Sequence, residues 1–388
     1  MSTLCNATSD HAPRERFVAL DSLRGLAALT VMFYHMGNVG WIAALHPFRL
    51  GWMLVDFFFV LSGFVIAMSY GARLAQGYPR GRFLLVRLGR IYPLHIVTVA
   101  GFVALEWLVF RPILHESHSL DALFRGVFLL DAFARGAGNF FAPVSWAVGV
   151  ELVLYVLAAG LFGRGRWAMG IALVLAGASA WALIAGFNVI GFGRLLQRGL
   201  LGFPLGVACF WLHRRFRGVE PGKGWLSVAE CALLAGLAGW MWLPSQGGAA
   251  IPVTDLLYAA IVLVFARDGG LASRALQVRP LVALGQLSFA LYMVHLYFII
   301  LPNRFLPGLF AALGHAEWVA PGRHTFGLES VAPPPLIATV LTLAVAGLAL
   351  GTAWLAWRFI EEPAREWTRR FAPASTQPHS AAPEPAAI

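Results

Sequence analysis

Long apolar segments, separated by shorter polar ones, follow one another along nearly the whole chain. About 20 apolar residues form a helix long enough to cross the roughly 30 Å hydrocarbon core of a bilayer. The pattern therefore predicts ten membrane-spanning helices, at residues 17–36, 50–70, 92–111, 143–162, 167–186, 195–212, 226–243, 252–266, 281–302 and 336–359. Residues 120–133 show a shorter amphipathic pattern, which predicts a segment that lies at the membrane surface or re-enters the bilayer.

The basic residues are concentrated in every second segment between the predicted spans. If the N-terminus lies in the cytoplasm, most of the 29 Lys and Arg residues fall in cytoplasmic segments, as the positive-inside rule requires. The sequence thus predicts an all-α, polytopic integral membrane bundle of about ten transmembrane helices with both termini in the cytoplasm. Residues 1–16 and 363–388 form cytoplasmic tails, the second mostly disordered, and residues 17–362 form a single membrane domain.

Composition narrows the class of protein further. Hydrophobic residues make up 59% of the chain, charged residues make up only 12%, and the mean hydropathy is +0.71. Soluble domains carry about 25% charged residues, so a soluble globular fold is excluded. The net charge of +10 is explained by the predicted cytoplasmic loops and does not indicate a nucleic-acid partner. The cysteines and histidines show no metal-ligand spacing, so no metal is expected.

The first predicted span contains ionisable residues, each of which costs roughly 2.5–3.5 kcal/mol inside a bilayer on insertion scales. Arg24 and His35 are eleven positions apart. At 100° per residue they differ by only about 20° after three full turns, so they share one helix face, about 16 Å apart along the axis. They cannot touch each other, and they are placed to engage two parts of one long ligand or two separate ligands.

A structural role explains the same residues without any ligand. Arg24 could snorkel to the inner interface, with Asp21 three positions earlier on the same face to neutralise it. His35 lies near the outer end of the span, where an isolated histidine is usually structural. This helix alone leaves both interpretations open.

Six segments of the chain carry polar residues in an apolar setting. They are residues 20–35, 55–64, 87–93, 145–155, 198–206 and 288–295. In this order, within residues 17–363, they resemble the motifs of the acyltransferase 3 family of membrane O-acyltransferases. Each motif is short, and their order along nearly the whole chain gives the resemblance its weight.

The resemblance implies a ten-helix enzyme without a bound cofactor. Such an enzyme takes an acyl group, usually acetyl, from cytoplasmic acyl-coenzyme A and transfers it to a hydroxyl of an envelope or exported polysaccharide. Its expected partners are acyl-coenzyme A, a glycan or other hydroxylated acceptor, and the lipid bilayer. Its expected location is the bacterial inner membrane. The family's catalytic pair falls on Arg24 and His35. Since neutral imidazole takes up a proton near neutral pH, we expect His35 to be the general base.

Arg87 and Arg90 lie on one helix face beside the third predicted span. Coenzyme A carries several phosphate charges, and a guanidinium binds phosphate through two parallel hydrogen bonds. We therefore expect this pair to bind acyl-coenzyme A. Ordinary positive-inside charge explains the same two residues, and it is the preferred explanation for the other loop arginines.

A second set of polar residues inside the predicted bundle forms either the acceptor path or a supporting network of hydrogen bonds between helices. In the ninth span, three of them are spaced i, i+4 and i+7 and share one face. A carboxylate of the set could pair with Arg24. The set consists of Asp21, Asp56, Glu151, Tyr155, Ser288, Tyr292 and His295.

Two other functions fit parts of the same pattern. Intramembrane charges also mark transporters, but the sequence shows no internal repeat and no paired broken helices in two halves. A small hydroxylated metabolite, such as a macrolide, is an alternative acceptor within the same family. Two long predicted outer loops, residues 112–142 and 303–335, favour an external polymer. A direct transfer is the simplest reaction, and a relay through an acyl-enzyme stays open.

Overall fold

The computed structural model describes residues 17–37, 40–109, 119–133, 141–164, 166–187, 193–219, 221–243, 249–325 and 328–370. Its helices are α1 (Val18–His35), α2 (Gly40–Ala43), α3 (His46–Arg49), α4 (Leu54–Ile66), α5 (Ala72–Ala75), α6 (Arg80–Val109), α7 (Leu120–Val127), α8 (Ser145–Leu161), α9 (Arg166–Ala185), α10 (Arg194–Arg215), α11 (Lys223–Trp242), α12 (Ala250–Phe265), α13 (Leu271–Leu276), α14 (Arg279–Val294), α15 (Tyr297–Ala312), α16 (Pro335–Ala356) and α17 (Glu362–Arg369). Residues 1–16, 110–118 and 371–388, which include the predicted N-terminal tail, part of an outer loop and most of the C-terminal tail, lie outside the described residues.

Each predicted span coincides with at least one helix, but the helices differ in length and hydropathy. In the described part of the chain, six are long and apolar enough to cross a membrane: Gly51–Ala75, Arg80–Leu108, Trp167–Ala185, Arg194–Arg215, Lys223–Trp242 and Pro335–Arg369. The pair α14 and α15 adds a seventh if it is one span. Helices α8 and α12 are apolar but shorter, with 17 and 16 residues. The chain is therefore a multi-pass membrane protein, while the count of ten and the cytoplasmic termini remain predictions.

Three boundaries differ from the predicted ones. The third predicted span begins at residue 92, but α6 already begins at Arg80, so Arg87 and Arg90 lie within one continuous helix. The ninth predicted span is broken after α14 at His295 and Leu296, and α15 continues at an angle of 52°. The C-terminal tail was predicted from residue 363, but residues 363–369 continue as α17, which packs against α6.

The predicted all-α class holds for the membrane region. Outside it, residues Val319–Thr325 and Leu328–Val331 form a two-stranded antiparallel ribbon (β1 and β2) in the second long loop, with Val319 opposite Val331. The amphipathic segment at 120–133 forms α7 and a 3₁₀ turn, Leu130–Phe133. It folds against the bundle, because the hydroxyl of Ser145 donates to Asp131 over 2.6 Å and both residues are fully buried.

Helices α1 and α14 pack tightly against each other and run parallel. Gly25 and Gly285 face each other, and a Cβ added at Gly25 would lie 2.5 Å from the backbone nitrogen of Gly285. A Cβ added at Gly285 would collide with the backbone at Asp21. Only glycine allows two helix backbones to approach this closely, so this pair of glycines sets the distance between α1 and α14.

A second tight pair is formed by α4 and α10, which also run parallel. A Cβ added at Gly63 would collide with the carbonyl of Phe203, and one added at Gly206 would collide with the carbonyl of Val60. The two pairs are joined by direct packing of α1 against α4. Together they form the rigid frame on which the polar side chains are placed.

Replacing Gly285 with alanine should destabilise the protein by about 1–3 kcal/mol, the usual cost of overpacking a tight interface. The added methyl group meets backbone atoms of α1, which have no rotamer by which to move aside. The thermal unfolding midpoint of the purified protein measures this effect. Gly347→Ala in α16 is the matched control, because a Cβ there meets no atom within 4 Å. Equal midpoints for the two variants would contradict the packing argument.

Candidate functional site

Helices α1, α4, α6, α8 and α14 enclose a cavity of about 790 Å³, counting the part open to solvent. Most of its wall is apolar, with side chains such as Val55, Phe58 and Ile66. Most of the predicted site residues line it, although they are spread over four helices of the sequence: Arg24, Arg87, Arg90, Glu151, Tyr155, Ser288 and Tyr292. The fold thus brings together the family's arginine, the basic motif and the polar face of α14.

Arg24 is held in place by α14 and by its own helix. Its Nε donates to the hydroxyl of Ser288 over 2.8 Å, and its Nη2 donates to the carbonyl of Gly285 over 2.9 Å. Asp21 lies 3.6 Å from its Nη1. The carboxylate nearest to Arg24 is therefore Asp21, one turn earlier, rather than Asp56 or Glu151. Because several donors are used, the orientation of the guanidinium at the cavity wall is fixed.

Arg87 is surrounded by aromatic rings rather than by acids. Its guanidinium carbon lies 4.6 Å from the centre of the Tyr70 ring and 5.7 Å from that of Tyr155, and the side chain is only 8% exposed. Its Nε has no hydrogen-bond partner. Within the described residues, neither Arg87 nor Arg90 forms an ion pair. This part of the cavity wall therefore carries two positive charges, and the buried Glu361 and the cavity residue Glu151 act on Arg90 without forming an ion pair with it.

Glu151 is the acidic residue of the cavity wall. Its Oε1 accepts hydrogen bonds from the hydroxyls of Tyr155 and Ser62, the latter over 3.2 Å. Ser62 is a member of this network that the predicted site did not include. The interactions join α4 to α8, so Glu151 acts in the network of hydrogen bonds between helices as well as at the cavity surface.

His35 and His295 form a pair beyond the residues that line the cavity. Nε2 of His295 lies 3.3 Å from Nδ1 of His35. Nδ1 of His35 also lies 2.9 Å from the carbonyl of Val31, and Nδ1 of His295 lies 2.7 Å from the carbonyl of Tyr292. Tyr292 lines the cavity, so the residue that orients His295 belongs to the cavity wall.

Asp56 lies outside this cavity wall, and its partner is an arginine that the predicted site did not include. Arg198 donates from Nε and Nη2 to the two carboxylate oxygens over 2.8 and 3.2 Å, and from Nη2 to the carbonyl of Trp52 over 3.0 Å. The rings of Trp52 and Trp146 flank the guanidinium, each centre 5.1 Å from its Cζ. Asp56 thus supports the α4–α10 frame. The sequence signal for this pair was the presence of two opposite charges in otherwise apolar spans.

Comparison with known proteins gives one family over most of the chain. Residues 17–358 match the family model Acyl_transf_3, described as an acyltransferase domain. The chain is 28% identical to acyltransferase MdmB of Streptomyces mycarofaciens, over 95% of this chain and 97% of that protein. It is 24% identical to the putative membrane-bound transacylase BcsY of Komagataeibacter xylinus, over 77% of each.

A third relative matches a shorter part of the chain. Protein 2 in the picA locus of Rhizobium radiobacter is 33% identical over 38% of this chain and 75% of its own length. No solved structure matches the chain.

Proposed function

Because this chain belongs to the acyltransferase 3 family, we propose that it transfers an acyl group, most simply acetyl, from acyl-coenzyme A to a hydroxyl of an envelope or exported polysaccharide. The observation that carries the proposal is the cavity, whose wall holds Arg87 and Arg90 of α6 together with Arg24 of α1, the helix that also bears His35. The bacterial cytoplasmic membrane, with acyl-coenzyme A on its inner side, is the proposed location.

The choice of acyl-coenzyme A as the donor is supported by the charge of the cavity wall. Arg87 and Arg90 supply positive charge at the cavity without an ion-pair partner among the described residues. Arg87 is buried, with its Nε unpartnered; a buried cation without a partner is costly, so this site favours an anionic ligand. The phosphates of acyl-coenzyme A supply that charge, and the apolar wall around Phe58 and Ile66 suits its less polar arm.

The proposed chemical step depends on the tautomer of His35, that is, on which ring nitrogen carries hydrogen. The carbonyl of Val31 carries no hydrogen, so the Nδ1 atom of His35, 2.9 Å away, must donate. In neutral imidazole the other nitrogen then holds the lone pair. Nε2 of His35 takes the proton of the acceptor hydroxyl as its oxygen bonds to the acyl carbon, the carbon–sulfur bond breaks, and the departing thiolate takes the proton. No net proton is gained or lost.

Arg87→Lys and Arg90→Lys are each expected to weaken acyl-coenzyme A binding about tenfold, because lysine keeps the charge but loses the two-pronged hydrogen bond. The dissociation constant of acyl-coenzyme A, measured by titration of the purified protein, tests this. Arg80→Lys is the matched control, since Arg80 is exposed at the start of the same helix. If both cavity variants bind acyl-coenzyme A with unchanged affinity, Arg87 and Arg90 contribute only to membrane topology.

The proposed polysaccharide acceptor is tested in cells. Proton NMR of purified surface and secreted polysaccharide should show O-acyl signals in the wild type and lose them in a strain that lacks the gene. Reintroducing the gene should restore them. An unchanged spectrum would overturn the polysaccharide acceptor. The small-molecule fraction of the same cultures, compared by mass spectrometry, then shows whether a hydroxylated metabolite has lost its acyl group.

A further inference from the structure

We propose that His295 is the positioning residue of His35 in acyl transfer: its Nε2 accepts a hydrogen bond from Nδ1 of His35, and this bond, together with the Val31 carbonyl, holds Nε2 of His35 in the basic form. The inference rests on the proposed function, in which His35 is the general base. It assigns a specific role to a residue that the sequence placed only in an acceptor path or a polar network.

The backbone contacts determine which nitrogen of each ring carries hydrogen. The carbonyl of Tyr292 only accepts, so Nδ1 of His295, 2.7 Å away, must donate. A neutral His295 then has its lone pair on Nε2, which is the atom that lies 3.3 Å from Nδ1 of His35. Nδ1 of His35 carries a hydrogen for the same reason, since it lies against the carbonyl of Val31. This single hydrogen is shared between the Val31 carbonyl, the shorter contact, and Nε2 of His295, so donor and acceptor match across the pair.

Burial decides which of the two histidines meets the acceptor. His295 is 1% exposed, whereas His35 is only partly buried. A hydroxyl substrate can therefore approach His35, with His295 behind it. The order is hydroxyl, His35, His295 and the Tyr292 carbonyl, which is the arrangement of a base that a second group orients from behind.

The fold gives this second histidine a fixed place. His295 lies at the C-terminal end of α14, immediately before the 52° bend into α15. The same helix holds Arg24 through Ser288 and Gly285, and the glycine contact with α1 sets the distance between the two helices. Helix α14 thus fixes both members of the Arg24–His35 pair relative to each other.

The bond strengthens when His35 becomes positively charged. After His35 takes the hydroxyl proton, its Nδ1–H becomes a stronger donor to Nε2 of His295, since charge-assisted hydrogen bonds are roughly twice as strong as neutral ones. His295 keeps its own proton on Nδ1 throughout and neither gains nor loses one. The gain arises mainly while the base is charged, so it lowers the barrier and raises kcat rather than the affinity for acyl-coenzyme A.

Two substitutions separate the hydrogen bond from mere packing. His295→Gln keeps a carbonyl oxygen as an acceptor near the position of Nε2, and His295→Leu keeps bulk but no acceptor. We expect His295→Leu to lower kcat about tenfold to a hundredfold with the KM for acetyl-coenzyme A unchanged, and His295→Gln to restore most of the rate. The assay follows transfer from acetyl-coenzyme A to purified polysaccharide by the full-length protein in lipid nanodiscs.

A spectroscopic measurement reports which nitrogen of His35 carries hydrogen, and it remains informative if His295→Leu does not fold. The ¹⁵N shifts of His35 in protein labelled at histidine give the fraction of the tautomer with hydrogen on Nδ1. We expect that tautomer in the wild type and in His295→Gln. A wild-type His35 with hydrogen on Nε2 would overturn the inference.

The outcomes distinguish the inference from the function on which it rests. If His295→Leu retains the wild-type kcat while His35→Ala is inactive, the positioning role is wrong and the proposed function stands. If folded His295→Gln is as impaired as His295→Leu, the acceptor atom is not what matters, and the inference is also overturned. If His35→Ala itself keeps full activity, the proposed function fails, and the role of His295 fails with it.

Discussion

Replacing His35 with alanine is expected to lower the rate of acyl transfer by about 10²- to 10⁴-fold, the range that a positioned general base contributes. The imidazole is oriented by a backbone carbonyl of its own helix and by His295, and no other nitrogen base is given this position by the described contacts. Acyl-coenzyme A should still bind, because Arg87 and Arg90, the proposed donor-binding residues, lie on another helix, α6. Turnover with acetyl-coenzyme A and the dissociation constant of the donor are measured on the same purified sample.

His315→Ala is the matched control for this variant. His315 lies in the second long loop, where it stacks on Trp318 and contacts the exposed Glu317. An exposed contact of this kind contributes little stability, so activity should stay within about twofold of the wild type. If His35→Ala retains the wild-type rate at equal protein abundance, His35 is not the base.

Breaking the ion pair between α4 and α10 should have the largest effect on stability. In Arg198→Met, the fully buried Asp56 carboxylate loses both of its hydrogen bonds. Asp255 lies in the same region, fully buried and with no hydrogen-bond partner for either carboxylate oxygen. Leaving a buried charge without its partner costs about 3–5 kcal/mol. We expect a large drop in the thermal midpoint and in the yield of monodisperse protein.

A double variant tests whether charge is the cause. Asp56→Leu combined with Arg198→Met removes both charges, and an apolar pair often replaces a buried ion pair without loss of stability. We expect the double variant to recover most of the lost stability. Arg164→Met serves as the matched control, because Arg164 is exposed and donates only to the carbonyl of Gly160. A double variant as unstable as Arg198→Met would show that packing of the arginine, rather than its charge, matters.

The sequence predicted the positions of the helices well because apolar length is a local property. It also placed Arg24 and His35 on one face, and the structure shows both engaging the same helix, α14. Local periodicity gives the face of a helix but not its neighbour. The grouping of Glu151, Arg87 and Ser288 around one cavity depends on how α6, α8 and α14 pack, and no spacing within one helix contains that information.

The missed interactions have a common physical origin. The pairing of Asp56 with Arg198 joins residues 142 positions apart, so only their opposite charge hinted at it. Glu230, fully buried in α11, accepts hydrogen bonds from the backbone nitrogens of Gly270 and Ser273 at the start of α13. The Ser273 hydroxyl also donates to Glu230, but backbone N–H groups leave no side-chain signal, and a serine hydroxyl carries no charge that would point to a partner acid.

The break in the ninth predicted span has a similar cause. Residues 281–302 are continuously apolar enough to be one helix, and hydropathy contains no information on the bend at His295. The structure shows that this bend places His295 at the end of α14, beside His35. The residues that the sequence described as a helical face are thus the residues that fix the candidate base.

The central claim is that this protein carries out acyl transfer rather than transport, and one measurement addresses it most directly. Purified protein in liposomes receives acetyl-coenzyme A with a labelled acyl group together with polysaccharide, and thiol release and ester formation are followed in one sample. We predict one thiol released for each ester formed in the wild type, and neither product above background with His35→Ala. Label that crosses the membrane without thiol release or ester formation would contradict this account.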